Sequence, residues 1–424
     1  MLVLMLLSTL MACTKKGSLT LDRTELKLEN QAVQLVATVT PEQELVWTSS
    51  NKNIVNVYVG LVVPVHNGTA VVTVSTLDGK LSAQCTVTVD GYVKDLSEEG
   101  TANCYIIPEG GRYKFKCTRG NKDTQISDVY EAVILWESTF KSDVARNDLV
   151  ANISYEDGYV HFQTGKELRG NAVVAVVDDL ANVLWSWHLW FCRNYNPEKL
   201  QQTYKDNSVW MDRNLGASMD ASYTSFGLLY QWGRKDPFPG PYSNSGTKAP
   251  TVPAFPEPSL ASKHQSDAGG VTGFAMKNPM VLISCGTSER WCTDHDLNGL
   301  WSTTKTQYDP CPLGWHVPAD TWKEAAGAES DYVGKIKDYG GTLGYVSDLS
   351  SPLAGVQART VTYPAAGYYD HQGQLVNVKQ ALKVWSCTVV DAKSVKAMTA
   401  NDVSASFSTT SIANGAASVR CVKD

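Results

Sequence analysis

Short runs of alternating apolar and polar residues, separated by turn residues, recur along the first half of this chain and constrain its fold more than any other feature. Gly68-Thr-Ala-Val-Val-Thr-Val74 and Cys85-Thr-Val-Thr-Val89 are typical of these runs. Successive side chains of a strand point to opposite faces, so each run buries one face and exposes the other. Strands of this length, divided by Gly, Asn, Asp and Pro, predict antiparallel sandwiches. Charged residues make up only 19% of the chain, which also favours β-structure with long loops.

An apolar run from Met1 to Ala12 ends at Cys13 and is followed by the polar residues Thr14-Lys-Lys-Gly17. A dozen apolar residues are too few to cross a bilayer as a helix, but they suit the core of a secretory signal. Leu10-Met-Ala-Cys13 resembles the lipobox of bacterial lipoproteins, which implies that Cys13 is acylated and anchors the protein in a membrane. We therefore expect residues 1–17 to be a signal and anchor segment of an outer-membrane lipoprotein, on its cell-surface or periplasmic face. The alternative is a buried Cys in an ordinary first strand.

The charge of the chain argues against one class of partner. Its 424 residues carry 37 Lys and Arg against 43 Asp and Glu, a formal net charge of -6, and no basic block that could follow a phosphate backbone. We therefore expect no nucleic-acid partner. The length suits two to four domains with substantial cores.

Residues 18–90 hold a series of short alternating strands that includes Trp47-Thr-Ser-Ser-Asn51, Gly60-Leu-Val62 and Gly68-Thr-Ala70. These three motifs, in this order, resemble the bacterial immunoglobulin-like group 2 (BIG2) domain. The resemblance covers the whole segment and implies a small β-sandwich that serves as a spacer or adhesion module. It also implies that Trp47 belongs to the core.

Residues 91–197 are also rich in strands and predict a second β-sandwich. Tyr105 to Pro108 and Tyr113 to Cys117 flank the Glu109-Gly-Gly111 turn and alternate like the two strands of a hairpin. A second turn at Asp178 to Asn182 separates two more strands. The later strand carries Trp185 and Trp187 on one face and Ser186 and His188 on the other. We interpret these faces as core or as an interface, with ligand binding as the alternative.

Residues 198–424 carry six spaced motifs, which are Val209–Ala217, Gly227–Pro237, Tyr308–Pro318, Pro364–Tyr368, Val384–Cys387 and Ala417–Asp424. Their sequence and order resemble the Fibrobacter succinogenes major paralogous domain. That resemblance implies a C-type-lectin-like fold, which is an α+β module whose first and last strands pair. The fold class we expect is therefore mostly β with a C-terminal α+β module, in which two Ig-like sandwiches precede a C-type-lectin-like domain.

The lectin-like resemblance also implies that Val209-Trp-Met211 lies beside Ser418 to Val422. A disulfide between Cys311 and Cys421 would then tie the two ends of the domain together and close a long loop. Cys285 and Cys292 are near enough in sequence for a second, local disulfide. Other pairings stay open, because connectivity cannot be read from sequence.

The turn Asp294-x-Asp296-x-Asn298-Gly299 resembles the first half of a calcium loop, although Lys305 replaces the final Glu. We consider calcium a candidate ligand at Asp294, Asp296 and Asn298, and an Asp/Asn-rich turn the commoner explanation. Trp291 and Trp301 flank this turn and are candidates for stacking on a sugar or peptide, with burial in the core as the favoured alternative. The Pro-rich residues 236–270 predict a long surface loop beside them. We therefore expect one ligand-binding rim formed by Trp291, Asp294, Asp296, Asn298 and Trp301.

These patterns lead us to expect a non-enzymatic, lipid-anchored cell-envelope protein whose lectin-like module binds a glycan or protein ligand. Adhesion or ligand capture at the cell surface is the expected role, with fibre subunits as further partners if the protein is a fibre tip or accessory subunit. One alternative is a structural surface or assembly subunit without a ligand. Another is an enzyme, because lectin-like scaffolds resemble that of formylglycine-generating enzyme. We find no Gly-x-Ser-x-Gly, His-Glu-x-x-His or phosphate-loop motif, and no cofactor other than calcium is indicated. Cys292 and His295 are a candidate Cys–His pair, for which a surface His beside a bridged Cys is the favoured interpretation.

Overall fold

The computed structural model describes residues 17–139, 147–204, 206–218, 225–241, 262–264, 271–286, 290–320, 336–339, 342–349, 359–401, 404–412 and 415–424. The chain divides into two compact units, one ending at Lys94 and one extending from Asp95 to Asp424. Strands predominate in both units, so the mostly β fold class is confirmed. The lipidation site at Cys13 lies outside the described residues, as does most of the Pro-rich loop.

The first unit is a sandwich of short strands. Its strands are Ser18–Leu21, Glu25–Leu28, Val33–Gln34, Ala37–Thr40, Leu45–Ser49, Val55–Tyr58, Leu61–Pro64, Gly68–Thr76 and Ser82–Val89. Gly68–Thr76 and Ser82–Val89 form the centre of one sheet and alternate between buried and partly exposed residues, as the period-two pattern predicts. Val55, Val62, Val72 and Val87 fill the core, and the half-buried Trp47 packs against it. A strand at Val93–Asp95 lies at the boundary of the unit.

The second unit begins with a two-layer region. Its strands are Cys104–Ile107, Arg112–Lys116, Thr118–Arg119, Thr124–Gln125, Glu131–Thr139, Val150–Glu156, Tyr159–Thr164, Arg169–Val177 and Val183–Cys192. Arg169–Val177 pairs with Val183–Cys192 across the predicted turn, where the Asp178 carboxylate accepts hydrogen bonds from the backbone of Leu180 and Asn182. This hairpin is confirmed. Cys104–Ile107 joins the same sheet beside Val183–Cys192, in parallel.

The predicted hairpin on either side of the Glu109-Gly-Gly111 turn is wrong. Cys104–Ile107 pairs with Val183–Cys192, whereas Arg112–Lys116 pairs with Tyr159–Thr164 in the other sheet. The chain therefore crosses between the two layers at this turn. Alternation identifies the buried face of a strand, but it does not identify the neighbouring strand.

The remainder of the second unit consists of small sheets and short helices. The helices are Pro197–Leu200 and Val271–Lys277, with a 3-10 turn at Leu297–Gly299. The strands are Gln202–Thr203, Val209–Trp210, Leu229–Gln231, Pro237–Phe238, Ser262–His264, Leu282–Ser284, Trp315–His316, Ile336–Tyr339, Thr342–Leu349, Arg359–Pro364, Tyr368–Tyr369, Leu375–Val376, Ala381–Asp391, Ser394–Asn401, Ala405–Ser411, Ala416–Ala417 and Val422–Lys423.

The two ends of this C-terminal region meet as expected. Val209–Trp210 pairs with Val422–Lys423, and the backbone N–H of Met211 donates to the carbonyl of Cys421. A disulfide joins Cys311 to Cys421, which are 110 positions apart in the chain. Cys285 and Cys292 are not joined by a disulfide; both side chains are buried among apolar residues of the core. Nearness in sequence does not orient two Cβ atoms for a bond, so that second predicted disulfide is wrong.

The predicted boundary at residue 197 falls within one continuous core. Trp190 belongs to the two-layer region and Leu229 to the C-terminal region, yet both are members of the same buried cluster. The indole N–H of Trp190 donates to the carbonyl of Ala217, and the amide of Asn171 donates to the carbonyl of Gly216. The described residues between Asp95 and Asp424 thus form one compact unit, which positions the site described below. Among the described residues, none belongs to a helix both long and apolar enough to cross a membrane.

Candidate functional site

A small cleft lies in the second unit. Nine residues line it, and we call it the Arg234 cleft: Gly233, Arg234, Lys235, Asp236, Thr272, Ala275, Met276, Trp291 and Tyr308. Four of them belong to the second motif of the C-terminal region. The remaining residues come from the helix Val271–Lys277 and from the segments that contain Trp291 and Tyr308.

The tight turn at Gly233 places three consecutive charged residues at the cleft. Gly233 has a φ of +85°, in the left-handed region that favours glycine. A Cβ atom there would lie 2.8 Å from Leu300 Cδ1, so both the backbone conformation and the available space favour glycine. The turn directs Arg234, Lys235 and Asp236 into the interior, where each is at most 4% exposed.

The buried charges at the cleft are held by specific partners. Lys235 Nζ donates to Asp236 Oδ1 at 2.6 Å and to the Ser186 carbonyl at 2.9 Å. It also lies 4.4 Å from the centre of the Trp185 ring. Burial lowers the pKa of Lys235, while the adjacent Asp236 carboxylate opposes that change. The ion pair is therefore an internal, fully partnered element of the cleft wall.

Arg234 caps the C-terminal end of the helix Val271–Lys277. Its guanidinium donates to the carbonyls of Val281 at 2.6 Å and of Ala275 at 3.2 Å, among others. A cation is favourable at this end of a helix, because the last carbonyls have no partner within the helix. Burial lowers the pKa of Arg234 to about 10.

Asp294 caps the N-terminal end of the same helix. Its carboxylate accepts hydrogen bonds from the backbone N–H of Thr272 at 3.0 Å and from the Thr272 hydroxyl at 2.6 Å. Asp296, two residues later, caps the 3-10 turn Leu297–Gly299, because its carboxylate accepts a hydrogen bond from the backbone N–H of Asn298 at 3.2 Å. Both carboxylates are helix caps. Asp294 is exposed and borders the cleft through Thr272.

This use of Asp294 and Asp296 does not fit a calcium loop. Calcium takes six to eight oxygens that converge on one point, whereas these carboxylates face backbone N–H groups of different turns. Among the described residues, no group of three or more His, Cys, Asp or Glu side chains is arranged to hold a metal ion. We therefore assign no role to calcium at Asp294, Asp296 and Asn298.

Trp291 and Trp301 do not offer exposed stacking faces, so that part of the predicted rim is wrong. They are 1% and 0% exposed, respectively. The Trp291 indole donates to the carbonyl of Trp232, and the Trp301 indole donates to the carbonyl of Tyr308. Their large apolar rings are more stable in the core than in water. Trp291 nevertheless contributes to the wall of the cleft.

A Cys–His–Asn set comes together only in the folded chain. Parallel pairing places Cys104 opposite His188, with Sγ 3.3 Å from Nδ1. His188 Nε2 lies 2.9 Å from Asn171 Oδ1, and the Asn171 amide nitrogen donates elsewhere, to Gly216. Nε2 therefore carries the imidazole proton and Nδ1 is the acceptor. Cys104 and His188 lie 84 positions apart, and no motif signals their contact.

The protonation of this set is opposite to that of a nucleophilic pair. Burial lowers the pKa of His188 to about 3 and raises the pKa of the Cys104 thiol well above its usual range. A reactive cysteine requires a thiolate, stabilised by a neighbouring cation. Here a neutral thiol faces a neutral imidazole in the core, which is a structural contact. The Cys292–His295 candidate is no better, because burial raises the pKa of Cys292 to about 12 and His295 packs edge-on against Tyr308.

Other polar residues singled out from the sequence also have structural roles. Arg213 and Asp212, in the first motif of the C-terminal region, form a buried ion pair at 2.7 Å. Trp185, Ser186, Trp187 and His188 are all buried, which confirms that both faces of that strand are core or interface. Of these, Ser186 reaches the charged wall of the cleft, where its hydroxyl donates to Asp236.

Comparisons with known proteins do not place the chain in a family. No protein-family model matches it, and no curated protein matches it. Among solved structures, the S-layer protein SbsC is similar over 46% of this chain and 30% of its own, with 14% identity and a TM-score of 0.15. The SGBP-B protein of the Bacteroides ovatus mixed-linkage glucan utilization locus, solved with a mixed-linkage heptasaccharide, matches over 40% of this chain and 42% of its own, with 14% identity and a TM-score of 0.13. The titin Ig tandem A164-A165 matches over 41% of this chain and 96% of its own, with 12% identity and a TM-score of 0.15.

Similarity at these TM-scores carries no argument about function. The chain also spans less than half the length of the first two of these proteins. What the chain does must therefore be argued from its own residues.

Proposed function

We propose that this chain is a non-enzymatic, lipid-anchored protein of the bacterial cell envelope that captures a glycan or protein ligand at the cell surface. The observation that carries the binding proposal is the Arg234 cleft. Its wall combines the buried aromatic side chain of Tyr308 with buried charge, and exposed Asp294 lies at its border. Concave sites lined by aromatic groups and a few fixed polar groups are the usual form of ligand sites.

The anchoring proposal depends on the lipobox-like Leu10-Met-Ala-Cys13, which resembles the acylation site of bacterial lipoproteins. The first unit follows the anchor segment in the chain and precedes the binding unit, which suits a spacer. The buried and neutral state of Cys104 and His188 supports a non-enzymatic role.

The binding proposal is tested by filling the cleft. Met276 lines it on one face of the helix Val271–Lys277, whereas the neighbouring Lys277 is exposed and does not line it. We expect the wild-type chain to bind a subset of glycans on an array, Met276→Trp to lose that binding, and Lys277→Trp to keep it. Equal binding by all three proteins would place the ligand elsewhere. If wild-type protein binds no glycan and instead copurifies with a fibre shaft, the chain is a structural subunit and the capture proposal fails.

A further inference from the structure

Lys383 is a buried lysine in the strand Ala381–Asp391, remote in sequence from the residues that line the Arg234 cleft. Only 7% of its surface is exposed. Its Nζ lies 4.6 Å from the centre of the Tyr368 ring and 5.4 Å from the centre of the Trp385 ring. Tyr368 is half-buried and Trp385 is fully buried, so the ammonium group lies against aromatic faces at the edge of the core.

Among the described residues, no oxygen accepts a hydrogen bond from Lys383 Nζ and no carboxylate pairs with it. Two other poorly exposed lysines differ sharply. Lys235 Nζ has three acceptors from Ser186 and Asp236. Lys305 Nζ also has three, namely the Asp309 carboxylate and the carbonyls of Cys311 and Trp315.

A poorly exposed ammonium without a protein acceptor is unfavourable, because burial has removed most of its water and no protein oxygen replaces that water. Aromatic faces attract the charge but do not accept these bonds as an anion does. Burial alone lowers the pKa of Lys383 to about 8, so the amine is still mostly protonated at neutral pH. The fold thus retains a cation whose partner the described residues do not supply.

We propose that Lys383 binds the carboxylate of an acidic ligand of the uronate class, with Tyr368 as its neighbouring contact. A single positive charge matches a singly charged carboxylate. The Tyr368 hydroxyl already accepts a hydrogen bond from the Asn377 amide at 2.8 Å, which leaves its own proton free to donate to a ligand oxygen. Asn377 is exposed, so this group of side chains reaches the surface.

The proposed carboxylate site is independent of the Arg234 cleft and does not depend on the function proposed above. None of Lys383, Tyr368 and Asn377 lines that cleft. A variant that fills the cleft should therefore leave the Lys383 site unchanged.

The test uses the full chain, thermal unfolding at pH 7, constant ionic strength, and glucuronate as the probe. We expect glucuronate at a hundredfold excess over its Kd to raise the Tm of the wild-type second unit by roughly 4 °C. Glucose should not raise it. Lys383→Met should abolish the shift, with Lys383→Gln as a second variant in case the first does not fold. Lys393→Met, which removes an exposed lysine from the adjacent turn, and Met276→Trp should both keep the shift.

Three results would overturn the proposal. The first is an equal rise with glucose, which would show that the carboxylate is not recognised. The second is a glucuronate shift that persists in the folded Lys383 variants. The third is stabilisation by inorganic phosphate without stabilisation by glucuronate, which would reject the carboxylate class.

Discussion

Replacing Lys383 with Met is expected to stabilise the ligand-free protein, which is unusual for a substitution at a buried position. Met retains most of the apolar volume and removes a charge that no described acceptor compensates. The pKa of Lys383 falls from 10.5 to about 8 on folding. At neutral pH this lowering of the pKa destabilises the folded protein by about 3 kcal/mol. The two aromatic contacts that are lost offset this gain by about 1 kcal/mol. We therefore expect the free energy of unfolding of Lys383→Met to exceed that of wild type by about 2 kcal/mol at pH 7.

The lowered pKa of Lys383 also makes the stability difference between Lys383→Met and wild type depend on pH. Between pH 8 and pH 10.5 the unfolded chain binds a proton at Lys383 that the folded chain has released, so wild-type stability rises with pH across this window. The advantage of Lys383→Met should therefore be full below pH 8 and decline towards pH 10.5.

Urea unfolding in ligand-free buffer, followed by Trp fluorescence at pH 7 and pH 10, measures this difference. The signal reports the second unit, because Trp47 is the single Trp outside it. Lys393→Met is the matched control and should change stability by less than about 0.5 kcal/mol at either pH. A Lys383→Met protein that is less stable than wild type at pH 7, or whose difference from wild type is the same at both pH values, would refute the reasoning.

Further substitutions test the other internal contacts. Lys235→Met should destabilise the second unit by roughly 3–5 kcal/mol in the same urea assay, because it leaves the Asp236 carboxylate buried without its cation. An unchanged free energy of unfolding would contradict the ion pair. Replacing both Cys311 and Cys421 with Ser should lower the free energy of unfolding by about 4–5 kcal/mol, because the disulfide closes a loop of 110 residues. An unchanged urea midpoint would count against that disulfide. Cys104 should resist iodoacetamide at pH 8 in the folded protein and react after unfolding, as mapped by mass spectrometry, because burial raises the pKa of its thiol; rapid alkylation of folded protein would show that the thiol is accessible.

Much of the fold could be predicted because local sequence patterns determine where its strands and turns lie. The alternation in Gly68–Thr76 identifies both the strand and its buried face, since a period of two has one structural meaning in a sandwich. Asp178 and Asn182 identify the turn between two strands through side-chain bonds to the backbone. The meeting of Val209–Trp210 with Val422–Lys423 was implied by a family resemblance.

Strand partners and contacts between distant residues could not be predicted in this way. Arg112–Lys116 alternates equally well as a hairpin strand or as a member of the opposite sheet, and the choice depends on packing of the whole unit. Cys104 meets His188 through parallel pairing of strands that are far apart in sequence.

The candidate site shows the same limit. A tryptophan beside a polar turn can bind a ligand or fill a core, and Trp291 and Trp301 are core residues. The Asp-rich turn has oxygens at calcium-like spacing, but Asp294 and Asp296 direct them to backbone N–H groups. The Arg234 cleft depends on a buried ion pair next to a glycine turn, and sequence alone does not show which charges are buried.

We propose that a lipid at Cys13 holds this chain at the outer surface of the cell. Protease shaving of intact cells that express the full chain, combined with membrane fractionation, tests it most directly. We predict that wild-type protein sediments with membranes and that protease releases fragments of it from intact cells. Cys13→Ala should appear in the soluble envelope fraction instead. Wild-type protein that is protected from protease, or a Cys13→Ala protein that still sediments with membranes, would contradict this account.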